Sequence, residues 1–211
     1  MTLDITPNDV LIVVDVQYDF LPEGSLAVAG GDEIVPLINT LAKRFTNVVL
    51  TQDWHPADHI SFASQHPGTQ PFQTVELPYG TQVLWPDHCV WNTHGAAISA
   101  DLDIPHAQLI IRKGYNRAVD SYSGFQEADR LTRTGLSGYL AERRLGKIYV
   151  VGLATDFCVA WTALDAADAG LDVSVIEDAT RAIDNNGSLA KAWADMQALG
   201  VGRLVSKDIL G

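Results

Sequence analysis

Ile148 to Val151 is a run of β-branched and aromatic residues that stops at Gly152, with a polar turn and then helical apolar spacing after it. A strand that is apolar at successive positions needs cover on both faces, which is the condition inside a parallel sheet. From Val159 onward, Trp161, Leu164 and Ala167 fall on one face of a helix that would supply part of that cover. Cys158 sits between the two elements. There a thiol is lifted past the end of the sheet, and a helix N-terminus favours the thiolate. A free cysteine is equally at home as a small core hydrophobe, so partners elsewhere in the chain must decide its role.

The same strand–helix alternation runs through the rest of the chain. Val10 to Val16, Val48 to Thr51, Gln108 to Arg112, Leu171 to Ile176 and Val201 to Val205 read as further strands. Asp32 to Phe45, with Ile34, Leu37, Ile38 and Leu41 on one face, reads as a helix, as do Ser137 to Arg144 and Ser188 to Leu199. This order predicts the α/β class: a doubly wound, mostly parallel sheet with helices on both faces, in a Rossmann-like three-layer arrangement. No repeat or linker divides the 211 residues, so one domain over residues 1–211 is expected. Residues 52–107 form a long irregular region within it. Its stretch Gln52 to Pro105 holds five prolines before Pro105, five of the six histidines and three of the five tryptophans. Long connections of this kind inside a domain tend to carry function.

Charge and cysteine usage narrow the partners. A formal net charge of −12 disfavours nucleic acid and anionic membrane surfaces. No apolar run approaches the roughly 18 residues of a membrane span, and Met1 to Asn8 lacks the basic and apolar parts of a signal peptide. Two cysteines, Cys89 and Cys158, make no disulfide framework, which fits a reducing, cytoplasmic setting. The expected partner is a small molecule, and the expected assembly a monomer or small homo-oligomer.

Three reactive side chains fall at strand ends. Asp15 closes the first strand, Lys113 follows the third and Cys158 follows the fourth. In an open parallel sheet such ends converge on one crevice, so residues about a hundred positions apart can meet there. Asp15 can take the thiol proton and return it to a leaving amine, while Lys113 favours both the carboxylate and the thiolate. A second constellation is Asp53-Trp54-His55, with His59 downstream and Asp87-His88 beyond. Asp53 and His55 share a face of an extended chain. A carboxylate with imidazoles suits Zn²⁺, Fe²⁺ or Mn²⁺, and His88 would close the site from the far end of the long region.

Taken together, six segments resemble the nicotinamidase/pyrazinamidase group of the isochorismatase-like cysteine hydrolases. They are Val13-Val14-Asp15-Val16-Gln17-Tyr18-Asp19-Phe20, Thr51-Gln52-Asp53-Trp54-His55-Pro56, Trp85-Pro86-Asp87-His88-Cys89, Arg112-Lys113-Gly114, Asp120-Ser121-Tyr122-Ser123-Gly124-Phe125 and Gly152-Leu153-Ala154-Thr155-Asp156-Phe157-Cys158. The resemblance implies a triad of Asp15, Lys113 and Cys158, and one divalent metal ion (Zn, Fe or Mn) held by Asp53, His55 and His88 with waters. It implies hydrolysis of nicotinamide to nicotinate and ammonia through a thioester, with pyrazinamide as a further substrate. The substrate's ring nitrogen would lie at the metal. It also implies a cis peptide at Leu153–Ala154, which turns the amides of Ala154 and Cys158 into an oxyanion hole. Phe20 and Trp85 match the walls around the ring, with Leu21, Tyr122 and Ala154 as further pocket residues. His59 stays outside the metal shell, because Pro56-Ala57-Asp58 shortens that loop relative to members that use it. Phe157 stands where some relatives carry histidine and receives no proton-transfer role. Cys89 is read as packing.

Relatives that act on carbamoyl, ureido or maleamate substrates share the triad but generally lack the Asp53-x-His55…His88 set. Isochorismatases proper lack the nucleophilic cysteine. Both absences favour nicotinamide here. Nothing points to a non-catalytic binding protein, because all three triad positions and all three ligand positions are filled. A metal-activated water hydrolase with a structural Cys158 is separated from the thiol enzyme by a Cys158→Ala variant.

Overall fold

The computed structural model describes residues 2–211. In chain order its elements are β1 (Asp9–Val14), α1 (Val35–Ala42), β2 (Asn47–Asp53), β3 (Thr74–Leu77), β4 (Gly80–Val83), β5 (Leu109–Lys113), α2 (Leu136–Arg143), β6 (Lys147–Leu153), α3 (Ala160–Asp168), β7 (Asp172–Arg181), α4 (Ser188–Ala198), β8 (Gly202–Leu204) and α5 (Lys207–Leu210). The central sheet has the order β5-β2-β1-β6-β7-β8, and every neighbouring pair in it is parallel. The chain therefore builds outward from β1 to β5, then returns to lay β6 on the other side of β1. The direction of winding reverses between β1 and β6, and the crevice of such a sheet opens there, beyond the carboxyl ends of the strands.

Alternation along β1 shows why both faces need cover. Val10, Ile12 and Val14 pack with Leu136 and Leu140 of α2, Ala163 of α3 and Met196 of α4, whereas Leu11 and Val13 pack with Ile38 and Leu41 of α1. The result is the expected three layers. No described helix is long and apolar enough to cross a membrane.

Several boundaries differ from expectation, each for a local reason. The first strand ends at Val14, not Val16, because Asp15 takes a left-handed backbone with φ 48°. The helix expected from Asp32 begins as a tight 3₁₀ turn over Asp32–Ile34 before α1. The long region is not wholly irregular: β3 and β4 form an antiparallel hairpin in it, which the prolines on either side obscure. The strand expected to end at Ile176 runs on to Arg181, past a register shift opposite Val150 and Gly152. On α3 the buried apolar residues are Ala160, Ala163 and Ala166, with Thr162 and Asp165 buried beside them, while Trp161, Leu164 and Ala167 are only partly covered. Small side chains let the helix lie close to the sheet, so size rather than hydrophobicity selects the inner face. Helix α5 was not expected at all.

Candidate active site

Cys158 lies in a wide turn, Thr155–Val159, between β6 and α3, where the Val159 amide bonds the Ala154 carbonyl five residues back at 3.1 Å. Such π-type turns widen the backbone and recur at functional sites. The turn follows Gly152, whose φ is +109° and where an added Cβ would stand 2.1 Å from the Val14 carbonyl oxygen. Only glycine permits β6 and β1 to approach this closely at the point where Asp15 and Cys158 leave the sheet. The Leu153–Ala154 peptide is cis.

Lys113 is the hub. It is fully buried at the end of β5. Its Nζ lies 2.9 Å from Asp15 Oδ2 and 2.5 Å from Asp53 Oδ1, and it donates to the Ser121 carbonyl at 3.0 Å and to Cys158 Sγ at 3.4 Å. Asp15 Oδ1 accepts from the Thr51 hydroxyl at 2.6 Å, and the Asp15 amide donates back to that hydroxyl at 3.2 Å. The predicted triad is thus brought together in one buried cluster.

Burial dominates the electrostatics. Removal from water raises the Asp15 carboxyl above its ordinary pKa, and the opposing pull of Lys113 does not cancel it. The Cys158 thiol is pushed well up by burial, again with Lys113 opposing. Burial works against the Lys113 ammonium, but Asp15 and then Asp53 more than offset it and hold the pKa well above the lysine norm. Burial thus makes both the Cys158 thiol and the Asp15 carboxyl hold a proton more tightly than they would at the surface, with the Lys113 charge opposing each.

The second constellation shares Asp53 with the first. Its Oδ1 faces Lys113, while Oδ2 lies 3.8 Å from His55 Nε2 and 3.9 Å from His88 Nε2. Donor atoms of Asp53, His55 and His88, all buried, lie within 4.8 Å of one another. The outer ring nitrogens are engaged: His55 Nδ1 bonds the Gly114 carbonyl and His88 Nδ1 the Pro86 carbonyl, each at 2.8 Å. Donation at Nδ1 leaves both Nε2 lone pairs facing Asp53, the tautomer that metal-ligating histidines need. Two buried carboxylates also share the one Lys113 ammonium, so the cluster carries excess negative charge that suits a cation. The residues present fit a divalent metal. Burial raises the Asp53 carboxyl, but Lys113 and then His55 outweigh it and hold it below the usual range. Burial disfavours a proton on His55, yet Asp53 more than compensates and its pKa rises; a cation at this point would compete with that proton. His88 is pushed down to about 4 by burial and by His55.

Gly114 allows this arrangement, since a Cβ there would stand 2.3 Å from the His55 ring. His59 is buried beside the cluster, its ring centroid 4.3 Å from that of His55. Its Nδ1 meets the Ser61 hydroxyl at 2.7 Å and its Nε2 the Val119 carbonyl at 3.2 Å, and donor atoms of His55, His59 and Asp120 also lie within 4.8 Å of one another. Burial and then His55 push His59 down to about 4.

A small cavity opens onto both constellations. Asp53, His55, His88 and Cys158 line it, and Phe20, Trp85, Tyr122 and Ala154 form its walls. Leu21, expected among them, does not line it. The turn at Tyr18–Phe20 directs Phe20 inward and leaves Leu21 in the core on the α1 side. Leu26, Asp120, Phe157 and Ile183 line the cavity instead, and Phe157 meets Trp85 edge-on at 4.8 Å.

Comparison with known proteins agrees with this arrangement. The isochorismatase-domain family matches residues 9–207. This chain belongs to the isochorismatase family. The nicotinamidase of Acinetobacter baylyi is 62% identical over 203 residues, spanning 96% of this chain and 95% of that protein. The solved structure of the Acinetobacter baumanii nicotinamidase–pyrazinamidase matches with a TM-score of 0.95 at 62% identity, covering 96% of this chain and 98% of that one. The pyrazinamidase of Pyrococcus horikoshii, solved in complex with zinc, matches at a TM-score of 0.77 and 34% identity, covering 94% and 99%.

Two residues of this isochorismatase-family site carry work that the sequence reading did not assign. Gln17 is buried, accepts from the Asp53 amide at 2.7 Å and donates to the carbonyls of Asp53 (2.8 Å) and Ala96 (2.9 Å). Asp19 Oδ2 accepts from the Cys89 amide at 2.7 Å and so holds the chain beside His88. Both lie in the Asp15–Phe20 segment, where polar residues directly after a buried strand were the available signal.

Proposed function

We propose that this protein hydrolyses the carboxamide of nicotinamide to nicotinate and ammonia, with pyrazinamide as a second substrate. The observation that carries the reading is the position of Lys113 Nζ, within 3.4 Å of Cys158 Sγ and beside both Asp15 and Asp53, which joins a nucleophile to a metal-type ligand set. The nicotinamidase relatives supply the substrate. Small planar amides also suit a cavity walled by Phe20, Trp85 and Tyr122.

Asp15 acts as general base and takes the Cys158 proton, while Lys113 stabilises the thiolate that forms. Sγ attacks the amide carbon, and the amides of Ala154 and Cys158 receive the developing oxyanion. Asp15 then gives its proton to the amide nitrogen, the C–N bond breaks and ammonia leaves a thioester. A water molecule, deprotonated by Asp15, attacks the thioester; the C–S bond breaks, nicotinate leaves and Cys158 regains its proton. Asp53, His55 and His88 would hold a divalent ion, Zn, Fe or Mn, which when bound supplies a Lewis-acid anchor for the substrate's ring nitrogen. We read residues 1–211 as one domain, acting in the cytoplasm as a monomer or small homo-oligomer.

The test is ammonia release from nicotinamide by the metal-replete protein and by its Cys158→Ala variant. Release that disappears in the variant is the expected result. Release that persists would replace the thioester route with direct attack by water, and no release from either protein would sink the activity itself.

A further inference from the structure

The hairpin of β3 and β4 contains one buried residue among its eight, and that residue is Gln82. A two-stranded ribbon is marginal on its own, and an amide buried in it is costly unless every polar atom is bonded. In Gln82 every one is. Its Oε1 accepts from the Tyr79 hydroxyl at 3.1 Å. Its Nε2 lies 2.6 Å from the Val83 carbonyl, 2.6 Å from Asp120 Oδ2 and 3.0 Å from the Tyr122 hydroxyl, so two hydrogens are shared among three acceptors. The Asp120 amide donates to the Tyr79 hydroxyl at 3.4 Å and closes a ring of bonds through Tyr79, Gln82 and Asp120. From this ring the network reaches the cavity walls, because the Tyr122 hydroxyl also accepts from the Trp85 indole N–H at 3.0 Å. Asp120, Tyr122 and Trp85 all line the cavity, and Trp85 stands two residues beyond β4.

We propose that Gln82 is a positioning residue that sets the aromatic side of the cavity. Through Tyr122 it orients Trp85 so that the walls receive a flat heteroaromatic ring, and it thereby governs affinity for the ring rather than the chemistry at the amide. The inference rests on the reading of this cavity as the nicotinamide site. A network of this kind behaves as a unit, so breaking any member should loosen the others.

The test uses Gln82→Met, which keeps length and apolar bulk but lacks the amide, and Gln82→Asn, which keeps the amide but shortens its reach. In either variant KM for nicotinamide should rise by about three- to tenfold, the scale of one lost hydrogen bond, with kcat within about twofold. Tyr122→Phe should give a similar rise, and the Gln82→Met/Tyr122→Phe pair should add little to it. The Trp85 indole N–H resonance, assigned with Trp85→Phe, should shift and lose protection from exchange in the Gln82 variants. That signal needs no turnover: absence of ammonia release by the unmodified protein would count against the proposed activity, while the indole signal still decides Gln82. An unmoved indole signal, an unchanged KM, a fall in kcat at constant KM, or failure of both variants to fold would overturn the inference.

Discussion

The site is built by two regions in two different ways. Asp15, Lys113 and Cys158 stand at or just beyond the ends of β1, β5 and β6, where the register of a parallel ladder leaves little choice of position. His88 and Trp85 come from the connection between β2 and β5, where no ladder of the central sheet reaches. There the backbone is held by separate polar contacts, such as the Cys89 amide on Asp19, the His55 amide on the Cys89 carbonyl at 3.0 Å, and Gln82 on Asp120. The sheet places the nucleophile's partners by covalent continuity and repeated backbone bonding. The connection places the ligand and the walls through buried side chains, each of which is a single point of failure.

The largest expected effect breaks the strand-end half alone. Asp15→Asn should lower kcat/KM by at least about a thousandfold, as loss of a base in a covalent mechanism does, while the protein keeps its metal content. Metal loss alongside activity, read by elemental analysis, would show that the two halves are not separable. The next breaks the other half: His88→Ala should weaken metal binding by about a hundredfold or more, read by competition with a chelator, and should leave the rate of Cys158 alkylation by iodoacetamide within about threefold. A collapse of alkylation would tie the nucleophile to the connection. The smallest sharpens the rule that irregular segments are held by satisfied polar groups. Glu127, between β5 and α2, is buried with neither carboxylate oxygen partnered among the described residues. Burial, then Asp129, raises its pKa from 4.5 to about 7. A carboxyl raised in the folded state contributes stability below its unfolded value, and that contribution is lost as pH climbs from about 4.5 to about 7. Glu127→Gln should remove this slope, so the Tm difference between the two proteins should change by a few degrees across that window. Parallel Tm curves would mean that Glu127 is solvated after all.

Much of this was legible in the chain itself. The strands of the central sheet announce themselves because a strand covered on both faces cannot hide its apolar run, and Asp15 is conspicuous because a carboxylate directly after such a run needs a reason. Asp53 and His55 are readable for the same reason, as polar residues at a strand end. Less visible were β3 and β4, short and mostly exposed, and the choice of Leu26 over Leu21 at the cavity wall. Two leucines five apart in a loop carry no periodicity from which to choose. The inner face of α3 misled because Trp161 and Leu164 are more hydrophobic than the alanines that pack there.

Sequence alone determined which groups could react and that strand ends would present them, since residue type sets chemistry and apolar patterning sets the sheet. Tertiary structure decided how those groups act on one another. That a single buried ammonium would face Asp15, Asp53 and Cys158 together depends on the strand order β5-β2-β1-β6. The raised carboxyl of Asp15 likewise follows from burial, and the His59 Nε2 contact from Val119, 60 positions away in the chain. Interaction energies between charges depend on distance and on exclusion of water, and neither quantity exists until the chain has folded.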